Sequence, residues 1–301
     1  MTMFTVDLED DLSAFEAQLT HHVARNGDIR IHYASIGTGP LVVFLHGFPD
    51  HWLTWWQQMA ALSPAYRCVA PDLRGYNLSD RPAAVSAYAP DHLTGDVAAV
   101  IADCGAEDAV VIGHDWGGFV AWHMAMDRPR LVSRLGIVNM PHPWAIAREL
   151  AVNPAQREAS AYVRQFQHPQ AHQALEPARL SAWVRDAAFA KRHAAALVRS
   201  DANGMLNYYR ACFPAPPYAQ RSEAPPPVTC PTLAIHALED PYALPAGLND
   251  LWQWVEAELT IETWPGIGHF VQQDAPERLT RALRLWLASG EEWPAGAMKP
   301  S

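Results

Sequence analysis

Residues 110–122 read VVIGHDWGGFVAW, a run of buried-strand residues that passes into a helical pattern within a few positions. Asp115 lies at the junction, with Gly113 two positions before it and Gly117 two positions after it. Small residues are needed on both sides of such a strained turn, because the helix must pack closely on the strand and the middle side chain must project above the sheet. The segment therefore predicts a nucleophile elbow with a carboxylate in the nucleophile position.

Short β-rich runs alternate with helical patterns on both sides of this elbow. Val and Leu dominate LVVFLHG at 41–47, and similar short apolar runs recur before and after it. Upstream, HHVARNGDIRIHYASIG at 21–37 predicts a hairpin that turns at Asn26-Gly27. Strands that alternate with helices are typical of a mostly parallel sheet covered by helices. The sequence therefore predicts an α/β fold.

The alternation stops for one long segment. From Met140 to about residue 228 the patterns are those of Ala- and Arg-rich helices, with no credible strand. A proline-rich segment, FPAPPYAQRSEAPPPVTCP at 213–231, then has the composition of a linker. We therefore predict an α/β core in two pieces, with a helical cap between them. The predicted boundaries are 1–139 and 229–301 for the core and 140–228 for the cap.

Two further polar residues follow predicted strands in the second piece of the core. Asp240 ends the run PTLAIHALED, and His269 follows the next strand-like run, ELTIETW. The order nucleophile, acid, histidine is that of a catalytic triad on this kind of sheet. Asp115 alone would be interpreted as a helix cap, but the two companions favour catalysis. Glu239 is the rival for the acid, and we prefer Asp240 because it lies at the loop edge.

A carboxylate in the nucleophile position changes the reaction that the elbow predicts. A serine at this position would perform acyl transfer, as in lipases and esterases. A carboxylate instead attacks an electrophilic sp³ carbon and becomes an alkyl ester. The bond broken is therefore expected to be C–O or C–halogen.

Composition argues against several classes of protein. The chain has 22 Lys and Arg against 32 Asp and Glu, a formal net charge of −10, so a basic nucleic-acid footprint is not expected. Its longest apolar runs, such as 41–45, are far shorter than the ~18 residues of a membrane span. The first basic residue is Arg25, after an acidic run, so the features of a signal peptide are missing. We expect no nucleic acid or membrane as partner and a cytoplasmic protein.

Cofactor motifs are also missing from the sequence. The four cysteines form no CxxC pair and have no His at zinc spacing. The sequence contains neither a GxxxxGK phosphate loop nor a strand followed by GxGxxG. We therefore predict reduced thiols, no metal and no cofactor.

Three motifs together resemble those of the epoxide hydrolases in the α/β-hydrolase superfamily. HGFPDHW at 46–52, RGYNLSD at 74–80 and GHDWGG at 113–118 are similar to the family's oxyanion loop, its RGYGxSD loop and its nucleophile turn. The resemblance covers roughly residues 20–290 and implies an eight-stranded, mostly parallel sheet with a helical cap inserted after strand 6. Asn77 replaces the family's usual glycine, and since Asn tolerates a left-handed backbone, we expect the turn to be retained.

The resemblance also implies which groups meet the substrate. The backbone N–H groups of Phe48 and Trp116 are the expected oxyanion hole, and such donors need no reorganisation as charge develops. In the first motif, His46, Pro49 and Trp52 are expected to bind substrate, although a histidine in such a loop more often serves the loop's own hydrogen bonds.

Two tyrosines of the predicted cap match family motifs. Tyr162 opens YVRQFQ, similar to the family's Y-x-x-x-F-Q segment, and Tyr209 lies in NYYRA, similar to N-x-Y-R. In the family these two point at the nucleophile, where neutral phenols can donate to a developing alkoxide. A single Tyr in an amphipathic helix is typically a core residue. Tyr208 competes with Tyr209, and the family register selects Tyr209.

The sequence thus predicts an epoxide hydrolase that converts a small-molecule epoxide to a vicinal diol. Asp115 forms a covalent alkyl ester, and Tyr162 and Tyr209 assist ring opening. Water activated by His269, which Asp240 orients, then hydrolyses the ester.

Two alternatives stay open at this point. A haloalkane or haloacid dehalogenase uses the same aspartate, and the indole N–H of Trp116 could hold a halide. Haloalkane dehalogenases, however, typically have a polar residue at the position of Phe48, and haloacetate dehalogenases have Arg at the position of Trp116. A non-catalytic receptor of the same fold would ordinarily have lost part of the triad. Nothing in the sequence decides whether the protein forms a homodimer.

Overall fold

The computed structural model describes residues 8–289, which form one eight-stranded sheet with helices on both faces. The spatial order of the strands is β1-β2-β4-β3-β5-β6-β7-β8. Only the β1–β2 and β2–β4 pairs are antiparallel, and every pair from β4–β3 onwards is parallel. The strands are β1 (Thr20–Asn26), β2 (Ile29–Ile36), β3 (Leu41–Leu45), β4 (Arg67–Pro71), β5 (Ala109–His114), β6 (Val132–Val138), β7 (Thr232–Ala237) and β8 (Leu259–Trp264). The predicted eight-stranded, mostly parallel sheet is confirmed.

The central strands are buried along their whole length. All residues of β3, β5 and β7 are buried, as expected for short Val- and Ile-rich strands with helices on both faces. Hydrophobic side chains fill both faces of the sheet, with Trp122 in one layer and Trp55 and Trp264 in the other. The sheet therefore provides a rigid platform for the loops at its carboxyl edge.

The hairpin differs from its prediction by one residue. Asn26 pairs with Ile29, so the connecting residues are Gly27 and Asp28 rather than Asn26 and Gly27. Gly27 has a φ of 60°, a left-handed value that glycine adopts without steric cost. The turn glycine was recognised, but its place in the turn depends on strand pairing.

Helices pack on the sheet, and they are the main elements of the segment between β6 and β7. Six helices, α5 to α10, lie in that segment, where the cap was predicted; its boundaries at 140 and 228 stay a prediction. The helices are α1 (Leu8–Glu16), α2 (Trp56–Leu62), α3 (Pro90–Asp103), α4 (Trp116–Asp127), α5 (Pro143–Val152), α6 (Pro154–Ala159), α7 (Tyr162–Phe166), α8 (Pro177–Leu180), α9 (Ala187–Arg199), α10 (Ala202–Cys212), α11 (Val271–Asp274) and α12 (Pro276–Ala288).

Hydrogen bonds hold this helical segment over the carboxyl ends of the strands. The Tyr208 hydroxyl of α10 donates to the Arg74 carbonyl at 3.0 Å. The His193 ring of α9 donates through Nε2 to the Pro49 carbonyl at 2.8 Å. Both carbonyls lie in loops that follow strands of the sheet, so the cap covers the edge where ligands of such sheets bind.

Further predictions concern the cysteines, membrane spans and the outer ends of the core. The four cysteines are free thiols. No described helix combines the length and the apolar character that crossing a membrane requires. The predicted outer ends of the core, residues 1 and 301, lie outside the described residues.

Candidate active site

The predicted elbow is a sharp turn between β5 and α4. Asp115 follows the last residue of β5 and has φ 50° and ψ −123°, a conformation that a side chain rarely adopts. The turn is possible because α4 lies against β3 with no side chain between them. A Cβ on Gly117 would lie only 2.2 Å from the Leu45 carbonyl oxygen. The strain at Asp115 is therefore held in place by close backbone packing.

Asp115, His269 and Asp240 lie together at the carboxyl edge of the sheet. His269 Nδ1 donates to Asp240 Oδ2 at 2.7 Å, and His269 Nε2 is 3.7 Å from Asp115 Oδ2. The second distance is too long for a hydrogen bond, which suits a base that acts on a water beside the carboxylate. Glu239, the rival acid, is exposed. The structure thus brings the three predicted residues into the arrangement of a triad.

Burial and charge set the protonation of this group. Burial raises the pKa of Asp115, while the charge of His269 and amide hydrogen bonds from Phe48 and Trp116 oppose the rise. Burial alone would lower the pKa of His269, but the charge of Asp240 and its hydrogen bond raise that pKa above the ordinary 6.5. Burial would likewise raise the pKa of Asp240, yet His269 holds it below the ordinary 3.8. The histidine is therefore made more basic by its buried anionic partner.

The expected oxyanion donors already face Asp115. The backbone N–H of Phe48 donates to Asp115 Oδ1 at 2.7 Å, and the amide of Trp116 also bonds to this carboxylate. A Cβ on Gly47 would lie 2.4 Å from Asp115 Cβ, so only a glycine lets the loop come this close. Two fixed N–H groups are thus placed where charge would develop on an ester of Asp115.

The triad opens into a cavity with two lobes under the helical segment. Both lobes share Asp115, His269, Tyr162, Tyr209 and Tyr242 as wall residues. The first, which we call the Arg221 lobe, extends to Cys212, Phe213 and Arg221, and its space of about 660 Å³ includes part of the open solvent at its mouth. The second, the Trp183 lobe, extends to Phe166, Leu180 and Trp183, and its space of about 850 Å³ likewise includes open solvent. The candidate nucleophile therefore lies where the two lobes meet.

Both predicted cap tyrosines line the two lobes. The rings of Tyr162 and Tyr209 lie 6.1 Å apart, nearly perpendicular to each other. Burial raises the pKa of both phenols, and the negative charge of Asp115 raises it further. Both hydroxyls therefore stay protonated near neutral pH and can donate. The neighbouring Tyr208 is different, because its hydroxyl donates to the Arg74 carbonyl away from the lobes.

Comparison with known proteins agrees with this geometry. Residues 40–276 match the family model described as alpha/beta hydrolase fold. The chain is 31% identical over 283 residues to epoxide hydrolase 3 of Xenopus tropicalis, covering 87% of this chain and 76% of that one. The chain belongs to the epoxide hydrolases of the α/β-hydrolase family.

Two further similarities agree with this assignment. An AB hydrolase superfamily protein, YfhM of Bacillus subtilis, is 45% identical over 150 residues, about half of each chain (49% of this one and 52% of YfhM). A structure from work on epoxide hydrolases in metagenomes of hot environments is 37% identical. It superposes with a TM-score of 0.78 and covers 91% of this chain and 99% of that one. The sheet and the helices above it are therefore those of this family.

Of the three residues predicted to contact substrate in this epoxide hydrolase, one lies in the cavity. Pro49 lines the Trp183 lobe. His46 and Trp52, the other two, line neither lobe. The His46 ring is buried behind the loop, where Nδ1 donates to the Gly47 carbonyl and Nε2 accepts from the Leu73 amide at 3.0 Å. Trp52 is buried against His21, at 5.5 Å between ring centroids.

Asn77 keeps the turn of the second family motif, as predicted. Its φ is 41°, in the left-handed region. The side-chain nitrogen of Asn77 donates to Asp72 at 2.9 Å. Its side-chain oxygen accepts from Arg199 of α9 at 2.7 Å. The substitution for glycine therefore adds a contact between the core and the helical segment.

Sequence reasoning missed two residues of the site. Tyr242 lines both lobes, and its ring lies edge-on to His269 at 5.0 Å. Asn139 also lines the Arg221 lobe and bonds through its amide to the His269 carbonyl at 2.9 Å, which ties the end of β6 to the histidine loop. Asn139 directly follows β6, and Tyr242 lies two positions after Asp240. Their positions at the carboxyl edge of the sheet were the available signal.

No cluster of three or more His, Cys, Asp or Glu between residues 8 and 289 has the arrangement of a metal site.

Proposed function

We propose that this protein hydrolyses a small-molecule epoxide to a vicinal diol through a covalent ester on Asp115. The observation that carries the proposal is that Tyr162, Tyr209 and Asp115 line the same two lobes. A carboxylate alone serves both epoxide and halide chemistry. Two phenol donors beside it suit the alkoxide that an opening epoxide produces.

Ring opening is the first step. Tyr162 and Tyr209 donate hydrogen bonds to the epoxide oxygen, and Asp115 attacks a ring carbon from the opposite side. The C–O bond of the ring breaks as the ester bond forms, and one phenol gives its proton to the new alkoxide. Burial disfavours the phenolate, and the negative charge of Asp115 returns when the ester is hydrolysed, so the phenol recovers its proton in the next step.

Ester hydrolysis is the second step. His269, oriented by Asp240, takes a proton from water, and the hydroxide attacks the carboxyl carbon of Asp115. The N–H groups of Phe48 and Trp116 stabilise the oxyanion. The bond between the carboxyl carbon and the ester oxygen then breaks, and the second proton of the water passes to that oxygen as the diol leaves. The oxygen of the water stays in the Asp115 carboxylate, and His269 returns the first proton to the tyrosinate. The scheme uses no metal or cofactor.

Haloalkane dehalogenation is the second candidate. The observation in its favour is Trp116 Nε1, which is buried and makes no hydrogen bond of regular geometry. Against it, Phe48 supplies no side-chain donor to hold a halide with Trp116. Offering styrene oxide and a bromoalkane together separates the two candidate functions. An epoxide hydrolase is expected to form diol without releasing halide.

Mass spectrometry of a His269→Gln variant tests the two-step scheme. Mixed with styrene oxide, this variant is expected to gain the mass of one substrate molecule on the peptide that contains Asp115. An unmodified mass, with a substrate that the wild type hydrolyses well, would contradict the covalent intermediate. Retained binding without turnover by the wild type would favour a receptor.

The role of the tyrosines is tested in the same background. Adding Tyr209→Phe to His269→Gln is expected to slow ester formation about a hundredfold, since it removes a proton donor from ring opening. Tyr208→Phe is the matched control, because its hydroxyl bonds to the Arg74 carbonyl, and it is expected to leave the rate unchanged. Equal slowing by both substitutions would argue against the role of Tyr209.

The cellular location and the oligomeric state belong to this proposal as well. We expect a cytoplasmic enzyme, which fractionation of the source cells tests. Light scattering on the purified protein measures whether it forms a homodimer.

A further inference from the structure

One buried imidazole beside the nucleophile has no role in the proposed reaction. His114 is the last residue of β5, directly before Asp115, and it is fully buried. Burial and, less strongly, the charge of His269 lower the pKa of the His114 ring to about 3. The ring is therefore neutral near neutral pH and does not compete with His269 for the proton of the water.

This neutral ring makes two hydrogen bonds with the segment that carries His269. His114 Nε2 donates to the His269 carbonyl at 2.8 Å, because a carbonyl oxygen can only accept. The proton is therefore on Nε2, and Nδ1 accepts from the side-chain nitrogen of Gln272 at 3.1 Å. Gln272 is fully buried in α11, three positions after His269. One ring thus binds this segment at two points, and one of them is the candidate base itself.

The His269 carbonyl also accepts a second hydrogen bond. The side-chain nitrogen of Asn139 donates to it at 2.9 Å, and the side-chain oxygen of Asn139 accepts from the Ala237 amide at 2.7 Å. Two donors thus occupy both lone pairs of the carbonyl. They stand at the ends of the neighbouring strands β5 and β6, so the backbone of the base is fixed to the edge that carries the nucleophile.

The proposed reaction needs this placement in only one of its two steps. Ring opening does not use His269. In ester hydrolysis a water must fit between His269 and the carboxyl carbon of Asp115, and His269 Nε2 lies 3.7 Å from Asp115 Oδ2. A misplacement of about 1 Å can slow a reaction about a hundredfold. A residue that sets the distance between base and nucleophile is therefore expected to affect hydrolysis and not ring opening.

We propose that His114 positions His269 for ester hydrolysis, by holding the backbone of the base against the turn that carries Asp115. This inference rests on the proposed function, and it adds a residue that sets the rate of the second step. His114 lines neither lobe, so it is a positioning residue rather than a catalytic one.

Single-turnover mass spectrometry with styrene oxide separates the two steps. His114→Met removes the donor and leaves a flexible apolar side chain in its place. This variant is expected to form the Asp115 ester at the wild-type rate and to hydrolyse it about 10- to 100-fold more slowly, so that the ester accumulates during turnover. His114→Gln, whose side-chain nitrogen can donate to the same carbonyl, is expected to restore part of the hydrolysis rate.

A second buried histidine provides the matched control. His142 is also fully buried, and burial lowers its pKa to about 3 as well. Its ring, however, accepts from the Trp144 amide at the start of α5. His142→Met is therefore expected to leave the rate of ester hydrolysis unchanged.

Gln272 provides an independent variant on the other side of the ring. Gln272→Met is expected to slow ester hydrolysis by less than His114→Met does. Added to His114→Met, it is expected to cause no further slowing, because Gln272 acts through the same ring.

Three outcomes would overturn the proposal. They are slowing of both steps by the same factor in His114→Met, an unchanged rate of ester hydrolysis in that variant, and equal slowing by His142→Met. If His114→Met does not fold, Gln272→Met decides: accumulated ester supports the proposal, and wild-type levels of ester contradict it. A wild type that forms neither ester nor diol from any epoxide would instead contradict the proposed function.

Discussion

A single buried carboxylate sets the basicity of the candidate catalytic histidine. The side chain of Asp240 has no exposed surface, and its Oδ1 accepts from the amides of Tyr242 and Ala243 at 2.8 and 3.1 Å. Its second oxygen is left for His269 at 2.7 Å. The loop thus holds the carboxylate charged, and the charge raises the pKa of His269.

This pair predicts a pH-dependent contribution to stability. Asp240, whose folded pKa is lowered, stabilises the fold above its ordinary 3.8 and loses this effect as the pH falls through its folded pKa. His269, whose folded pKa is raised, stabilises the fold below its ordinary 6.5 and loses this effect as the pH rises through its folded pKa. The pair therefore contributes most between about pH 4 and pH 6.5.

Asp240→Asn tests this window, because the amide keeps an oxygen for the two backbone donors. The substitution is expected to lower the free energy of unfolding by more at pH 5.5 than at pH 9. The difference is expected to be about 1.4 kcal/mol for each unit by which Asp240 raises the pKa of His269. Chemical denaturation at several pH values measures it. Glu239→Gln, at an exposed neighbour, is the control, and a pH-independent loss in Asp240→Asn would contradict the argument.

At the scale of elements, the site depends on how closely α4 approaches the sheet. The elbow requires Gly117 to lie against the Leu45 backbone of β3, and the same approach places the Trp116 amide beside Asp115. The contact is backbone to backbone, so a side chain cannot be accommodated by a rotamer change.

Gly117→Ala is therefore expected to destabilise the protein by about 3 kcal/mol or more, since overpacking against a rigid neighbour forces the helix to move. Thermal unfolding measures the loss. Gly95→Ala in α3 is the control. Its new methyl group would meet the end of the Asn26 side chain rather than backbone, and alanine has a higher helix propensity than glycine. Similar unfolding temperatures for the two variants would be evidence against a tight elbow.

At the scale of the whole molecule, the cavity exists only because the helical segment packs against the core. Asn77 and Arg199 join the two across 122 positions of sequence through a 2.7 Å hydrogen bond. The same Asn77 side chain bonds to the buried Asp72 of the core, so the link is anchored on the sheet side.

Asn77→Gly tests this link while keeping a residue that accepts the φ of 41°. Loss of the two side-chain hydrogen bonds, partly offset by relief of backbone strain, is expected to cost about 1 kcal/mol of unfolding free energy. A double-mutant cycle with Arg199→Met isolates the link. Strictly additive effects would mean that the two residues do not act together.

Local patterns were enough to predict much of this protein. The strand–helix alternation, the elbow at Asp115 and the companions Asp240 and His269 depend on residue periods and on glycines within a few positions. The family motifs added Tyr162 and Tyr209 at the cavity. Such signals are readable because strand ends and turns are set mainly by neighbours along the chain.

Only the tertiary structure decided which side chains face the cavity. His46 and Trp52 lie in the same motif as Pro49 yet turn behind the loop, and Tyr208 and Tyr209 are adjacent but point to different surroundings. The two lobes likewise arise between segments far apart in sequence. The physical reason is that a side chain's direction follows from how whole elements pack, and that packing is not encoded in the residues next to it.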